Sequence, residues 1–226
     1  MSAAEWEAGR LSAWVAGAAV LIGLPPGILL GWLLARRRFW GKTAVQTAVY
    51  LPLVLPPVVT GYLLLVTFGR NSPVGRMLEQ WFGLRLVFDW KGAAVAAAVV
   101  SFPLLVRSVR TAFASVDRGL EDAARTQGAT PLDVFFRVSL PLAMRGIVAG
   151  AVLAFARGLG EFGATIMIAG NLPGETRTIP LYVYDQLSTP GGVENAWPII
   201  GASVVLAAAA LAVGEHRERR VDERAN

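Results

Sequence analysis

Residues 11–35 read LSAWVAGAAVLIGLPPGILLGWLLA and contain no charged side chain. About 20 apolar residues are enough for a helix to cross the hydrocarbon core of a bilayer. Further apolar segments occupy residues 44–68, 92–106, 146–169 and 197–213. None of them alternates polar and apolar side chains as a membrane β-barrel does, so helices remain the way to cross. We therefore predict an all-α, polytopic membrane helical bundle with about five transmembrane helices.

The composition of the chain agrees with a membrane protein. Of the 226 residues, 54% are hydrophobic and only 16% are charged, whereas a soluble domain has roughly 25% charged residues. There is no cysteine and one histidine, which leaves little material for a metal site or a Ser-His-Asp triad. We expect no catalytic residue, no metal and no cofactor in this chain. The net charge of +5 is typical of basic cytoplasmic loops, so we expect membrane lipid and not nucleic acid as a partner.

The distribution of Lys and Arg predicts the orientation in the membrane. Most of them follow the first and third apolar segments or lie in the C-terminal tail. Cytoplasmic loops carry an excess of basic residues, so the N-terminus is predicted outside and the C-terminus in the cytoplasm. No change of composition divides the chain. We therefore predict a single transmembrane domain over residues 1–226, with a core at about residues 11–213.

Prolines interrupt the apolar segments at Pro25-Pro26 in the first, and at Pro52 and Pro56-Pro57 in the second. A proline removes one backbone donor and disturbs a helix. Inside a membrane bundle, neighbouring helices can satisfy the freed groups. We therefore predict kinked helices at these positions rather than loop boundaries.

The predicted cytoplasmic loop at about residues 107–145 is too long for a simple connection. Residues 120–129, LEDAARTQGA, predict a short helix with Asp117 as its cap and Gly128 at its end. Thr130-Pro131 is a suitable start for a second helix. The spacing of this loop is specific: Asp122-Ala123-Ala124, three variable residues and Gly128 are followed by Val138, one variable residue and Leu140-Pro141.

This pattern resembles the cytoplasmic signature of permease subunits of binding-protein-dependent ABC importers. The usual acidic residue before the alanines is Glu; here it is Asp122, with Glu121 beside it. The resemblance implies a type I importer permease whose short helix docks into a separate ATPase subunit, which binds ATP and Mg²⁺. A surface helix without a partner is the alternative that the spacing alone leaves open. The residues that the resemblance assigns to ATPase coupling are Glu121, Asp122, Ala123, Ala124, Gly128, Leu140 and Pro141.

Longer strings resemble molybdate permease subunits: LPLVLPPVV at residues 51–59, FARGLGEFGAT at 155–165, PGETRTIP at 173–180, and Pro190-Gly191-Gly192. The likeness covers residues 11–213. It implies a multi-pass protein of a prokaryotic inner membrane that pairs with a second copy of itself and receives an oxyanion from a periplasmic binding protein. A permease for tungstate or sulfate is the first alternative. An ATP-independent channel or carrier is the second, which has no need of a docking helix.

Two further groups of residues are candidate functional sites. Arg157 is a cation inside an apolar segment, where a charge is costly and should face the bundle interior or a cavity. Glu161 follows one helical turn later, so the two either line the anion pathway or form a structural ion pair. Thr165 could donate a hydrogen bond in the same pathway. On the external side, Glu175 and Arg177 either contact the binding protein or brace their own loop.

Overall fold

The structure is a computed structural model that describes residues 2–190, 192, 197–205 and 208–209. Over that part of the chain it consists of α-helices, one π-helical turn and connections, with no strand. The predicted all-α fold is confirmed. The helices are, in chain order, α1 (Ala3–Arg36), α2 (Lys42–Val54), α3 (Pro57–Phe68), α4 (Pro73–Phe82), α5 (Trp90–Ser115), α6 (Arg118–Thr126), α7 (Pro131–Val134), α8 (Leu140–Leu159), α9 (Gly163–Ala169) and α10 (Ile179–Leu187).

Three helical stretches are long and apolar enough to cross a membrane: α1, α5 and the stretch Pro131–Leu159 that contains α8. The pair α2 and α3 is a further candidate if it forms one broken span. Residues 197–205 are helical, and the rest of the predicted fifth segment lies largely outside the described residues. The predicted count of five spans therefore stays a prediction, whereas α5 is longer than its predicted 92–106.

The central helix α5 packs against α1, α2, α3, α8 and α9. The side chains that it buries include the small residues Ala93, Ala96 and Ala97. Helices in lipid associate mainly through close packing, which small side chains allow. On α1, a Cβ atom at Gly31 would lie 2.5 Å from Cγ1 of Val109 on α5, so only glycine permits this approach. These contacts place the last turn of α1 beside the end of α5.

The prolines have different effects in the two segments. Helix α1 continues through Pro25-Pro26, whose side chains lie on its exposed side. These prolines form no loop boundary, as predicted, and the predicted kink stays a prediction. At Pro56-Pro57 the prediction of a kinked helix is wrong. Helix α2 ends before these prolines, and the axes of α2 and α3 are bent by 114°. Leu55 and Pro56 have extended backbone, with ψ of 142° and 133°. A residue that precedes proline is disfavoured in the α region, and here two such residues follow each other.

The prediction of one continuous helical segment over residues 146–169 is also wrong. Helix α8 ends at Leu159, and α9 begins only at Gly163. A Cβ atom at Gly163 would lie 3.0 Å from Cβ of Pro57 and 3.2 Å from the backbone N of Val58, so the start of α9 is pressed against the start of α3. The two broken segments therefore meet at their breaks.

Candidate functional site

The loop between α5 and α8 is shorter than predicted at both ends, because α5 runs to Ser115 and α8 begins at Leu140. Within it, α6 begins after Asp117, whose side chain accepts a hydrogen bond from the backbone N of Gly119 at 2.8 Å. Gly128 follows the helix with a φ of +87°, a conformation that favours glycine. The predicted cap and the predicted glycine end are both confirmed.

A second cap leads back towards the membrane. Thr130 and Asp133 form a capping box at the start of α7, where proline occupies the first helical position. A π-helical turn, Phe135–Ser139, joins α7 to α8. The ring of Phe135 packs edge-on against Trp32 of α1, with centroids 5.4 Å apart, and stacks on Phe113 of α5 at 6.0 Å. The loop is thus packed onto the ends of two transmembrane helices.

A buried ion pair fixes the inner side of α6. The Glu121 Oε1 atom lies 2.9 Å from Nη2 of Arg36, the last residue of α1. The Ser139 hydroxyl donates a hydrogen bond to the same Glu121 oxygen at 2.7 Å. Nη2 of Arg36 also donates to the carbonyl oxygen of Val116 at 2.8 Å. The side chains of Arg36 and Glu121 are only 8% and 6% exposed, so the Arg36–Glu121 pair joins α1, α6 and the π-helical turn in the protein interior.

This placement changes the interpretation of Glu121. The sequence groups it with Asp122 as an ATPase contact, but its carboxylate points into the chain and is used there. Arg36 is a functional candidate that sequence reasoning missed. It stands in a run of three arginines at the end of an apolar segment, a pattern that indicates only the orientation in the membrane. Nothing in the sequence distinguishes Arg36 from Arg37 or Arg38.

The outer side of the loop is exposed. Asp122, Ala123 and Gly128 are exposed and Ala124 is half-buried, while the Asp122 carboxylate pairs with Arg125 of its own helix. Three large apolar side chains of the same loop have exposed fractions of 50% or more, Leu120, Leu132 and Phe136. An exposed apolar patch with a charged rim is typical of an interaction surface.

Leu140 and Pro141, the last two residues of the signature, have different surroundings. Leu140 packs against the core formed by α1, α5 and α8, whereas Pro141 is exposed in the first turn of α8. Proline is well suited to a first helical turn, where its missing N–H would have no partner. Leu140 therefore supports the loop between α5 and α8 from the inside.

Arg157 and Glu161 form an ion pair, but not on one continuous helix. Arg157 lies in the last turn of α8 and Glu161 follows the helix end, with 2.9 Å between Nη1 and Oε2. The other carboxylate oxygen accepts a hydrogen bond from the backbone N of Ala164 at 2.8 Å, in the first turn of α9. The Glu161 side chain is 2% exposed and that of Arg157 is 32% exposed. Glu161 thus joins two helix ends across the break, and Thr165 is buried in α9.

The side chains of Glu175 and Arg177 have different surroundings. Arg177 braces its own segment, because Nε donates to Oδ1 of Asn171 at 3.0 Å and Nη1 lies 3.3 Å from Oδ2 of Asp185. Glu175 is exposed at the rim of a cavity of about 810 Å³, whose other lining residues include Trp14 and Trp90. Of the two residues, Glu175 is the more exposed. Among the described residues no group of three or more His, Asp or Glu side chains could hold a metal ion.

A bundle of apolar helices with a short exposed helix between two spans defines the class of polytopic helical membrane proteins. The chain belongs to the family described as binding-protein-dependent transport system inner membrane component, which it matches over residues 27–222. It is therefore a membrane component of a transport system.

Known members of this family resemble the chain over almost its whole length. It is 52% identical to the molybdenum transport system permease protein ModB of Escherichia coli, over 98% of this chain and 96% of that protein. It is 47% identical to the protein of the same name from Haemophilus influenzae, over 97% and 96%. The fold resembles a solved bacterial alginate ABC transporter with a TM-score of 0.76 at 22% identity, covering 98% of this chain and 80% of that one.

The neighbouring carboxylates Glu121 and Asp122 should respond differently to loss of charge. Glu121→Gln leaves the buried Arg36 without a counter-charge, and breaking a buried ion pair costs about 3–5 kcal/mol. Asp122→Asn removes an exposed ion pair and should change the free energy of unfolding by less than about 0.5 kcal/mol. Thermal unfolding of the purified chain without partners measures both. Equal destabilisation by the two substitutions would contradict the assigned geometry.

The ion pair at the helix break predicts an asymmetry. Arg157→Gln leaves the fully buried Glu161 carboxylate without its cation, so it should destabilise the chain more than Glu161→Gln does. In Glu161→Gln the amide oxygen can still accept from the backbone N–H of Ala164, and Arg157 is less buried than the carboxylate that it pairs with. Thermal unfolding of both variants tests this order. If Arg157 instead serves the anion alone, Arg157→Gln would abolish uptake at unchanged stability and Glu161→Gln would preserve both.

Proposed function

We propose that this chain is the permease subunit of an ATP-driven importer for molybdate. The observation that carries the proposal is its near full-length similarity to molybdenum transport permeases. A separate ATPase subunit supplies the energy, and an extracytoplasmic binding protein delivers the anion. The permease itself catalyses no reaction.

The exposed outer face of α6 is the proposed docking surface for the ATPase subunit. Ala123 and Ala124 are small enough to let the helix approach a partner closely, and the exposed apolar side chains around them provide contact area. Asp122 and Arg125 set the register through charge, which favours specificity over affinity. The inner face is not available to a partner, because Glu121 is paired with Arg36.

Movement of the docked helix would reach the membrane through existing contacts. The Arg36–Glu121 pair connects α6 to α1, and the Ser139 hydroxyl connects it to the π-helical turn before α8. A partner can shift a conformational equilibrium only through contacts that differ between the two states. Closure of two ATPase subunits would supply that difference by drawing the two docking helices together.

We assign the translocation path to the interface between two copies of the chain. The exposed apolar side chains of α2 and α3, among them Leu53, Tyr62 and Val66, support a face that lipid or a second copy covers. Helix α3 packs against α9, whose start is joined to Arg157 through Glu161. On the opposite side of the membrane, Glu175 is the proposed contact for the binding protein.

Gly128 tests the docking turn. Gly128→Val places a β-branched residue at a positive φ, a strain of about 1–3 kcal/mol, and should reduce ATP-dependent uptake at least about tenfold. No atom outside the two neighbouring residues lies within 4 Å of the added Cβ position, so the expected cause of the loss is backbone strain and not a clash at Cβ. Gly128→Asn is the matched control, because asparagine tolerates this conformation. Uptake by the valine variant at the wild-type rate would contradict the assignment.

The decisive experiment is reconstitution in liposomes of the chain with its ATPase and binding protein, followed by molybdate uptake with and without ATP. Uptake that needs ATP and is inhibited by tungstate but not by sulfate is the expected result. Equal inhibition by sulfate would reassign the substrate within the family. Uptake without ATP would overturn the docking proposal and favour a channel or carrier.

A further inference from the structure

A cavity of about 400 Å³, lined by both charged and apolar side chains, lies between the end of α1 and the docking helix α6. Four arginines line it, Arg36, Arg37, Arg118 and Arg125, together with the two carboxylates of Glu121 and Asp122. Positive side chains are therefore in excess. Such a cavity favours an anion, provided that the arginines are not already neutralised.

The ion pairs show which arginines remain available. The Glu121 carboxylate forms an ion pair with Arg36, and the Asp122 carboxylate forms one with Arg125. In the part of the chain that the structure describes, Arg37 and Arg118 have no carboxylate partner, although Arg37 lies over the ring of Trp32 at 5.8 Å. The unbalanced charge of the cavity thus comes from these two side chains, one from each wall.

Arg36 offers a further donor at this place. Its side chain is more than nine-tenths buried, and both of its contacts, to Glu121 and to Val116, are made by Nη2. The Nε atom is buried without a hydrogen-bond partner. A buried guanidinium donor without a partner is costly, and an anionic oxygen in the cavity would bring negative charge next to this guanidinium.

The position of the cavity indicates where the anion comes from. It lies at the end of α1 and Trp32 is part of its lining, and tryptophan is enriched at the level of the lipid headgroups. One further turn into the span, Leu29 is 59% exposed and faces outward. Basic pockets between transmembrane helices on the cytoplasmic side bind the headgroups of anionic lipids.

We propose that this cavity binds the phosphate group of an anionic phospholipid, with Arg37 and Arg118 as its principal ligands. Such a lipid would connect the end of α1 to the start of α6 beside the Arg36–Glu121 pair. It would hold the docking helix in place and make coupling depend on the lipid composition of the membrane. The proposal concerns a resident lipid and is independent of which anion is transported.

Native mass spectrometry of the purified full chain, mixed with phosphatidylglycerol or with phosphatidylcholine, tests the site. The wild-type chain should retain phosphatidylglycerol in preference to phosphatidylcholine. The double variant Arg37→Gln/Arg118→Gln should lower the affinity for phosphatidylglycerol roughly 30-fold, as expected for two basic side chains near an anionic phosphate. Both side chains are exposed, so the double variant should fold normally.

The matched control is Arg38→Gln/Arg107→Gln, which removes the same charge from two exposed arginines that do not line the cavity. An equal loss of phosphatidylglycerol in the control would overturn the proposal, because it would indicate general surface attraction. Free molybdate or inorganic phosphate that binds the wild type but not the cavity variant, with lipid retention unchanged, would overturn the lipid source. The assay contains no ATP and no partner, so its failure leaves the transport proposal intact, and the reverse also holds.

Discussion

Close packing around α5 is the constraint on which the rest of the structure depends. Lipid tails are as apolar as leucine, so burying apolar surface adds little to the free energy of helix association in a bilayer. That free energy comes instead from close van der Waals contact. Ala93 and Ala97 give α5 a narrow surface, and Gly27 and Gly31 give α1 another. Because α1 lies so close to α5, its last residue, Arg36, comes within reach of the loop that follows α5.

The Arg36–Glu121 pair converts that packing into a functional arrangement. It secures one side of α6 to the transmembrane bundle and leaves Ala123, on another side, exposed. In the proposed docking, a helix held in this way would pass force to the span when the ATPase subunit moves. A buried ion pair adds little net stability, because desolvation of both charges offsets their attraction. Its value here is positional, since it determines which face of α6 is presented.

Several elements of the site could be read from residue types and spacing. Asp117 and Gly128 delimit α6 because the chemistry of helix ends is local, and the Arg157–Glu161 pair follows from two opposite charges four residues apart. The helix break between Arg157 and Glu161 could not be predicted from the sequence. Gly160 and Phe162 resemble the rest of an apolar segment, and the helix ends there because the start of α9 packs against Pro57 and Val58 of α3. Only a contact between segments distant in sequence decides this.

Composition and periodicity by themselves determined that this chain is a helical membrane protein, because uninterrupted apolar segments have no other stable form in lipid. The local spacing of the loop also determined its helix, its caps and its likeness to importer permeases. The tertiary structure alone decided which of three consecutive arginines is buried, which of two adjacent carboxylates faces inward, and which prolines end a helix. Each of these depends on what another segment brings into contact, and a pattern along one segment contains no information about its neighbours in space.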